Sequence, residues 1–304
     1  MIMVLGGNGY IGRVLMKMLP DALCWDKNFL TNCQGTDIRT VTEDRLKWLD
    51  IDCVIDLACI SNDPCCELDP KLTEDINITG ALRVARMAKK AGVKRYIYSS
   101  TCSVYGEGAK LNLTEKSPVN PLTAYAKSKL FTEQALLKMN SKNFKVVALR
   151  NGTVFGLSPS MRFDLVVNQM TMNAWLDGKI TVNDGSQYRP CIHIKDVCDA
   201  FITMIDNDVT GVYNTGGVNY TIHEIACKVR QVMMCEMCCN HSATDKRNYS
   251  VNSSKAAKIG IYPKRSLYEG IVEIKQALDN GLDPYDPRTV RVKWYKLLQK
   301  QGKI

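Results

Sequence analysis

At 304 residues the chain is long enough for one large domain or two modest ones sharing an interface, and its 45% hydrophobic and 23% charged residues exclude disordered, collagen-like and coiled-coil compositions. Lys and Arg total 40 against 31 Asp and Glu, a net charge of +9. The basic residues are scattered, with only short runs such as Lys89-Lys90 and Lys94-Arg95, so nucleic acid is not an expected partner, whereas a multiply charged soluble ligand is compatible. Thirteen cysteines are sprinkled through apolar stretches, among them Cys53, Cys59, Cys191, Cys198 and Cys227. That pattern predicts reduced, buried thiols rather than a disulfide framework. The start of the chain lacks the pattern of a signal peptide, and no apolar run approaches the roughly 18 residues of a membrane span. A soluble, cytoplasmic protein without a membrane partner is expected, and Asn112-Leu113-Thr114 is then a chance glycosylation match.

In chain order, strands are predicted at Met3–Leu5, Ala22–Trp25, Cys53–Leu57, Tyr96–Ser99 and Val146–Leu149. Each is apolar nearly throughout, as in a sheet covered on both faces. Helices are predicted at Tyr10–Leu19, ended by Pro20; at Ile76–Ala91, ended by Gly92; and at Ala124–Asn140, where Leu130, Ala135 and Leu136 recur at helical spacing. The order β-α-β-β-α-β-α-β predicts a doubly wound parallel sheet. Beyond about residue 156 the pattern is less regular, with turns at Ser158-Pro159, Asp184-Gly185 and Gly216-Gly217 and helices at Phe163–Leu176, Ile194–Ile205 and Ile222–Met234. This predicts a smaller α+β portion.

Gly6, Gly9 and Gly12 lie between the first strand and the first helix. Glycine there lets a pyrophosphate approach the backbone, and the helix N-terminus offers unpaired N–H groups to it. Asp26 directly follows the second strand, where a carboxylate would accept hydrogen bonds from both ribose hydroxyls and favour NAD. Arg13 and Lys27 leave NADP open. Tyr125 and Lys129 are four residues apart, hence on one face of a helix. The ammonium favours the phenolate, making Tyr125 a plausible proton-transfer group. Thr101 leaves the fourth strand at the end where open α/β sheets bind ligands, and its hydroxyl can reach a substrate oxygen.

These segments, together with Thr36-Asp37-Ile38-Arg39, Asp56-Leu57-Ala58, Asn77-Ile78-Thr79-Gly80, Ser99 to Gly106, Asn120 to Lys129, Leu149 to Gly156, Arg189 to Asp196 and Asn252 to Gly260, span nearly the whole length. The chain resembles the extended short-chain dehydrogenase/reductases of the NAD-dependent nucleotide-sugar epimerase/dehydratase family, of the UDP-glucose 4-epimerase type. The resemblance implies a Rossmann-type domain over residues 1–156 and a smaller nucleotide-sugar-binding domain over 157–304, with some later segments returning to the first. It implies that Thr101, Tyr125 and Lys129 are catalytic, and that the cofactor is held by Gly6, Gly9, Tyr10, Ile11, Gly12, Asp26, Asp37, Ile38, Leu57, Ala58, Asn77, Tyr125 and Lys129. Ser103, Asn168, Arg189 and Arg247 would hold the nucleotide sugar, with Arg162 a further candidate. A homodimer is implied through Ile76–Ala91 and Ala124–Asn140.

The reaction implied is epimerisation at C4 through a transient 4-ketone with tightly held NAD. The alternatives are a nucleotide-sugar 4-ketoreductase or 3,5-epimerase/4-reductase using NAD(P)H, and a non-catalytic dinucleotide-binding protein, against which Thr101, Tyr125 and Lys129 argue. Thr101-Cys102-Ser103 lacks the Asp-Glu pair with which the family's 4,6-dehydratases eliminate water. Cys102 lies near a proton-transfer cysteine of some relatives, but a buried small hydrophobe is the commoner fate of the residue. Pro190 stands where the family carries an acidic residue and unsettles the expected loop. His193 is read as structural. Cys235, Cys238, Cys239 and His241 lack the separated ligand pairs of an ordinary zinc site, so no metal is expected.

Overall fold

A computed structural model describes residues 1–27, 37–106, 111–240 and 247–303. In the first half the order is β1 (Ile2–Leu5), α1 (Tyr10–Met18), β2 (Leu23–Trp25), α2 (Glu43–Trp48), β3 (Cys53–Asp56), α3 (Asp63–Leu68), α4 (Pro70–Glu74), α5 (Ala81–Ala91), β4 (Arg95–Thr101), α6 (Ala124–Lys138) and β5 (Lys145–Asn151). It continues with β6 (Thr153–Phe155), α7 (Val166–Asp177), β7 (Lys179–Asn183), β8 (Tyr188–His193), α8 (Ile194–Asp206), β9 (Gly211–Thr215), β10 (Val218–Thr221), α9 (Ile222–Met233), β11 (Glu236–Asn240), α10 (Ser254–Ala257), α11 (Leu267–Asp279) and α12 (Arg291–Lys300). The chain divides into two compact units, one made of Met1–Val104, Pro121–Arg150 and Cys198–Tyr213, the other of Tyr105–Asn120, Asn151–Val197 and Asn214–Ile304.

The first unit is organised by a six-stranded parallel sheet in the order β2-β1-β3-β4-β5-β9, the Rossmann-type arrangement. Met3, Leu5, Val54, Tyr96 and Ala148 from its strands pack with Leu82, Ala85 and Ala88 of α5. The sheet's sixth strand, β9, is not among the predicted strands, and three further features depart from the sequence reading. The passage from β2 to β3 contains a helix, α2, which Thr42 caps by accepting the Arg45 N–H and which carries Glu43 and Asp44 in its first turn; only Leu46 of its six residues is buried, so it has no apolar period to detect. Helices α3 and α4 both begin at an Asx cap followed by proline at the start of the helix, Asn62 accepting from Cys65 N–H and Asp69 from Leu72 N–H. The helix predicted from Ile76 opens with a π-helical segment, Asp75–Gly80, before α5.

The second unit has a three-stranded sheet, β10-β8-β6, and a parallel pair, β11-β7. Its core joins Val167 and Met170 of α7, Ile225 and Val229 of α9, and Leu267 and Ile271 of α11. Capping boxes at Thr221/Glu224 and Ser266/Glu269 start α9 and α11. Pro190, expected to disturb a loop, lies within β8, opposite Asn219 of β10. It is tolerated because pairing with β6 begins only at Cys191, so that side requires no N–H from the proline. The described cysteines are all free thiols, most of them buried, but Cys227, Cys238 and Cys239 are exposed; Cys227 lies on the solvent face of α9, its sulfur 3.7 Å from His223 Nδ1 one turn earlier. Among the described residues no helix is long and apolar enough to cross a membrane.

A buried ion pair ties α6 to the sheet. Glu133 accepts from Arg150 at 2.6 and 3.0 Å and from Ser100 Oγ at 2.6 Å, and all three residues are buried. Glu133→Gln would leave the Arg150 guanidinium without a counter-charge, so we expect a loss of about 3–5 kcal/mol in urea unfolding; a loss within 0.5 kcal/mol, the usual scale of surface substitutions, would show that the pair does not brace the helix.

Candidate active site

The turn between β1 and α1 is shaped by what it must avoid. Gly6 adopts φ +74°, and a side chain there would press on the Ala58 backbone N at 2.8 Å; a side chain at Gly12 would collide with Gly6 O and the Gly7 backbone. The turn is therefore closed to side chains on two sides and lies against the segment after β3, where Leu57 N–H donates to Leu5 O. Tyr10 is buried and Ile11 half-buried at the start of α1. No side chain caps that helix, and its first turn holds no acidic residue, which leaves its N-terminal N–H groups suited to an anion. Asp26 Oδ2 accepts the Asn8 N–H at 2.9 Å, fixing the carboxylate beside the turn.

Asp37 caps a short 3₁₀ turn at Ile38–Thr40. Its carboxylate receives Arg39 through backbone and guanidinium, with Lys27 Nζ at 3.7 Å, and the Arg39 hydrogen bonds hold it below the usual carboxylate range. Arg39 also pairs with Asp75 at 2.6 Å. Ile38 is buried and packs toward Gly80. Thr36, at the edge of this motif, lies outside the described residues. Two of the nearby cations, Lys27 and Arg39, are thus engaged by carboxylates, and the Asp26 carboxylate stands beside the glycine turn; both fit an unphosphorylated ribose better than a 2′-phosphate.

Thr101 ends β4 and Ser103 lies in the following 3₁₀ turn. Thr101 Oγ1 accepts the Ser103 N–H at 3.1 Å, an arrangement in which the Thr101 hydroxyl proton points elsewhere. Cys102 Sγ faces Arg150 O at 3.0 Å and is fully buried. Thr123 caps α6, which sets Tyr125 and Lys129 one turn apart. Lys129 is 1% exposed, and its Nζ sits 4.2 Å from the centre of the Tyr98 ring. Tyr125 is half-buried. Burial raises its phenol above the ordinary range and the Cys59 thiol adds to this, while the Lys129 ammonium pulls it down.

Asn77 belongs to the π-helical segment. Its Oδ1 accepts the Ile60 N–H at 2.8 Å, and its Nδ2 donates to Ile60 O at 3.0 Å and Ser128 Oγ at 3.2 Å. Ser128 Oγ in turn donates to Tyr125 O at 2.8 Å, and Thr132 Oγ1 donates to Asn77 O at 2.8 Å. Asn77 thus links the segment after Ala58 to the helix that carries Tyr125 and Lys129. Asp56, at the end of β3, is buried and accepts Tyr96 Oη at 2.6 Å and Ala58 N–H at 3.1 Å. Sequence reasoning passed over Asp56, Tyr98, Ser100 and Glu133, because a polar or aromatic residue in a strand or helix does not announce its partner; the clue was that Tyr96 and Tyr98 share one face of β4.

In the second unit, Asn168 is fully buried, donating to Arg162 O at 2.9 Å and accepting the Gly156 N–H at 3.1 Å. Arg162 forms a two-point pair with Asp164 at 2.9 Å. Arg189 Nη1 donates to the carbonyls of Tyr188 and Arg247, and its guanidinium lies 5.8 Å from the Tyr249 ring. Arg189 and Arg247 are thus neighbours, whereas Asn168 belongs to the separate Arg162 cluster. His193 is buried, with Nδ1 accepting the Lys195 N–H and Nε2 therefore facing Glu273 Oε1 at 3.0 Å as the donor. His241 lies outside the described residues; among the described ones no cluster of three or more His, Cys, Asp or Glu could hold a metal ion.

The profile of the NAD dependent epimerase/dehydratase family matches residues 2–216. A UDP-glucose 4-epimerase of Lactobacillus helveticus is 26% identical over 89% of this chain and 94% of its own length. UDP-glucuronic acid decarboxylase 1 of Arabidopsis thaliana is 25% identical over 89% of this chain and 68% of its own. A solved UDP-N-acetylglucosamine 4-epimerase from Methanobrevibacter ruminantium M1 superposes with a TM-score of 0.82 at 25% identity, covering 92% of this chain and 98% of that one. The side-chain-free glycine turn, the uncapped helix behind it and the Asp26 carboxylate fit the cofactor that the family's description specifies. The chain belongs to the NAD dependent epimerase/dehydratase family of enzymes.

Proposed function

We propose that the protein is an NAD-dependent nucleotide-sugar epimerase acting at C4 through a transient 4-keto sugar. The observation that carries this reading is the Tyr125–Lys129 pair, one turn apart on α6, with the ammonium buried and its field opposing the rise that burial imposes on the phenol's pKa. Gly6, Gly9, Tyr10, Ile11 and Gly12 would hold the cofactor's pyrophosphate, and Asp26, Asp37 and Ile38 its adenosine half. Leu57 and Ala58 would wall it, and Asn77 would fix that wall to α6. Bound NAD supplies the hydride acceptor, and in reduced form the donor, that oxidation and re-reduction at C4 require.

Tyr125 takes the proton of the C4 hydroxyl as the carbonyl forms and returns it on reduction. Lys129 binds the cofactor ribose and favours the phenolate. Thr101 donates a hydrogen bond to the C4 oxygen, and Ser103 contacts the sugar. Asn168, Arg189 and Arg247 would hold the nucleotide diphosphate, a task suited to a guanidinium already oriented by two carbonyls. The names of the relatives support a nucleotide-sugar substrate. Cys102 and Ser103, standing where dehydratases carry two acidic residues, speak against elimination of water.

Three measurements test this reading. NAD should co-purify, and a panel of UDP, GDP, CDP and dTDP sugars should yield one epimer pair interconverted without added reduced cofactor; consumption of one NADPH or NADH per turnover would establish the ketoreductase instead. Tyr125→Phe should lower kcat by at least about a hundredfold with NAD still bound, and undiminished turnover would overturn both enzyme readings. Arg189→Ala should raise KM for the same sugar about tenfold or more with kcat little changed; an unchanged KM would remove Arg189 from the substrate site. We also propose a homodimer through α5 and α6, where Phe131 is 56% exposed. Light scattering should give twice the chain mass, and Phe131→Glu should halve it; a monomeric wild type would refute the dimer.

A further inference from the structure

We propose that Tyr98 is a positioning residue: the face of its ring, rather than a carboxylate, holds the Lys129 ammonium in place. This rests on the reading of Lys129 as the lysine that binds the cofactor. The ammonium and the ring are each 1% exposed and 4.2 Å apart. A charge so buried needs a partner, since desolvation would otherwise displace it. No described carboxylate makes a salt bridge with it. Glu133, the next acidic residue on α6, is engaged by Arg150 and Ser100, and Asp56 on β3 is engaged by Tyr96 Oη and the Ala58 N–H. Cys66 on α3 directs its sulfur to Ile60 O at 3.4 Å. The carboxylates around the ammonium are thus hydrogen-bonded elsewhere, Asp56 acting on it only through its charge and without a salt bridge, and the π-face of Tyr98 is the surface in direct contact. A desolvated ammonium over an aromatic face is the setting in which cation–π attraction is largest.

The strand geometry explains why this residue can do it. Tyr96 and Tyr98 alternate on one face of β4, the first sending its hydroxyl to Asp56 and the second presenting its ring to Lys129. Among the described residues the buried Tyr98 hydroxyl bonds neither Lys129 nor a carboxylate, so it is the ring that faces the ammonium. Phenylalanine should therefore replace Tyr98 without loss, while a ring of the same size with less negative charge on its face should not.

The test introduces phenylalanine, 4-fluoro-, 3,5-difluoro- and 3,4,5-trifluorophenylalanine at position 98 of the full-length holoenzyme. The readout is the release of radiolabelled NAD into excess unlabelled NAD, with the melting temperature followed alongside. Tyr98→Phe should release NAD at the wild-type rate. Each added fluorine should speed release, reaching about tenfold for the trifluoro ring, with melting temperatures that do not follow the fluorine count. A rate that is flat across the series, with Lys129→Met releasing NAD faster, overturns the role of Tyr98 alone. Lys129→Met releasing NAD at the wild-type rate overturns the reading of Lys129 and this inference with it.

Discussion

Where α6 meets the strands of the first unit, buried polar and aromatic side chains are arranged around a positive charge kept out of water. An ammonium in a low-dielectric setting acts strongly on a phenol one helical turn away, because little solvent screens it. The same setting makes the charge costly unless its surroundings are fully occupied. Here they are: Tyr98 covers Lys129 with its ring, Tyr96 and the Ala58 N–H hold Asp56, and Arg150 with Ser100 holds Glu133. At Tyr125 burial and Cys59 raise the phenol while the Lys129 ammonium opposes them.

That position is set by the seat of α6. The helix is held at three places: by Glu133 to β4 and β5, by Thr132 to the carbonyl of Asn77, and by Ser128 to the Asn77 side chain. Asn77 Nδ2 donates to Ile60 O and its Oδ1 accepts the Ile60 N–H, so the segment after β3 and α6 share one anchor. The π-helical turn at Asp75–Gly80 is what places this asparagine. Such turns cost regular hydrogen bonding and are found chiefly where a function needs the altered side-chain direction.

The second unit achieves rigidity by other means. Its polar residues are satisfied within loops: Asn168 closes Arg162 O and Gly156 N–H, and His193 bridges the Lys195 N–H and Glu273. Arg189 is held by two backbone carbonyls, which accept hydrogen bonds without neutralising the guanidinium. These contacts fix the direction of the guanidinium without using a carboxylate to do so.

Strands β1 to β5, the glycine turn, the α1 and α6 helices and the candidate pair Tyr125–Lys129 were legible in the residues themselves, whereas β9, the sheet's sixth strand, was not. Local backbone preference and short-range spacing govern these features: glycine where a side chain would collide, an apolar run where both sheet faces are covered, and four residues per helical face. Helices α2, α3 and α4 were not legible, because caps and proline rather than an apolar stripe define them, and the π-helical break inside the predicted Ile76–Ala91 helix leaves no periodic trace. Nor did Pro190 reveal that it sits in a strand, since its tolerance depends on where β6 begins to pair. The amino-acid order thus settled most elements of the first unit and which side chains have reactive chemistry. Only the fold decided what surrounds them, as with Tyr98 beneath Lys129 and Glu133 against Arg150, because burial and the choice among distant partners arise when strands and helices far apart in the chain are packed together.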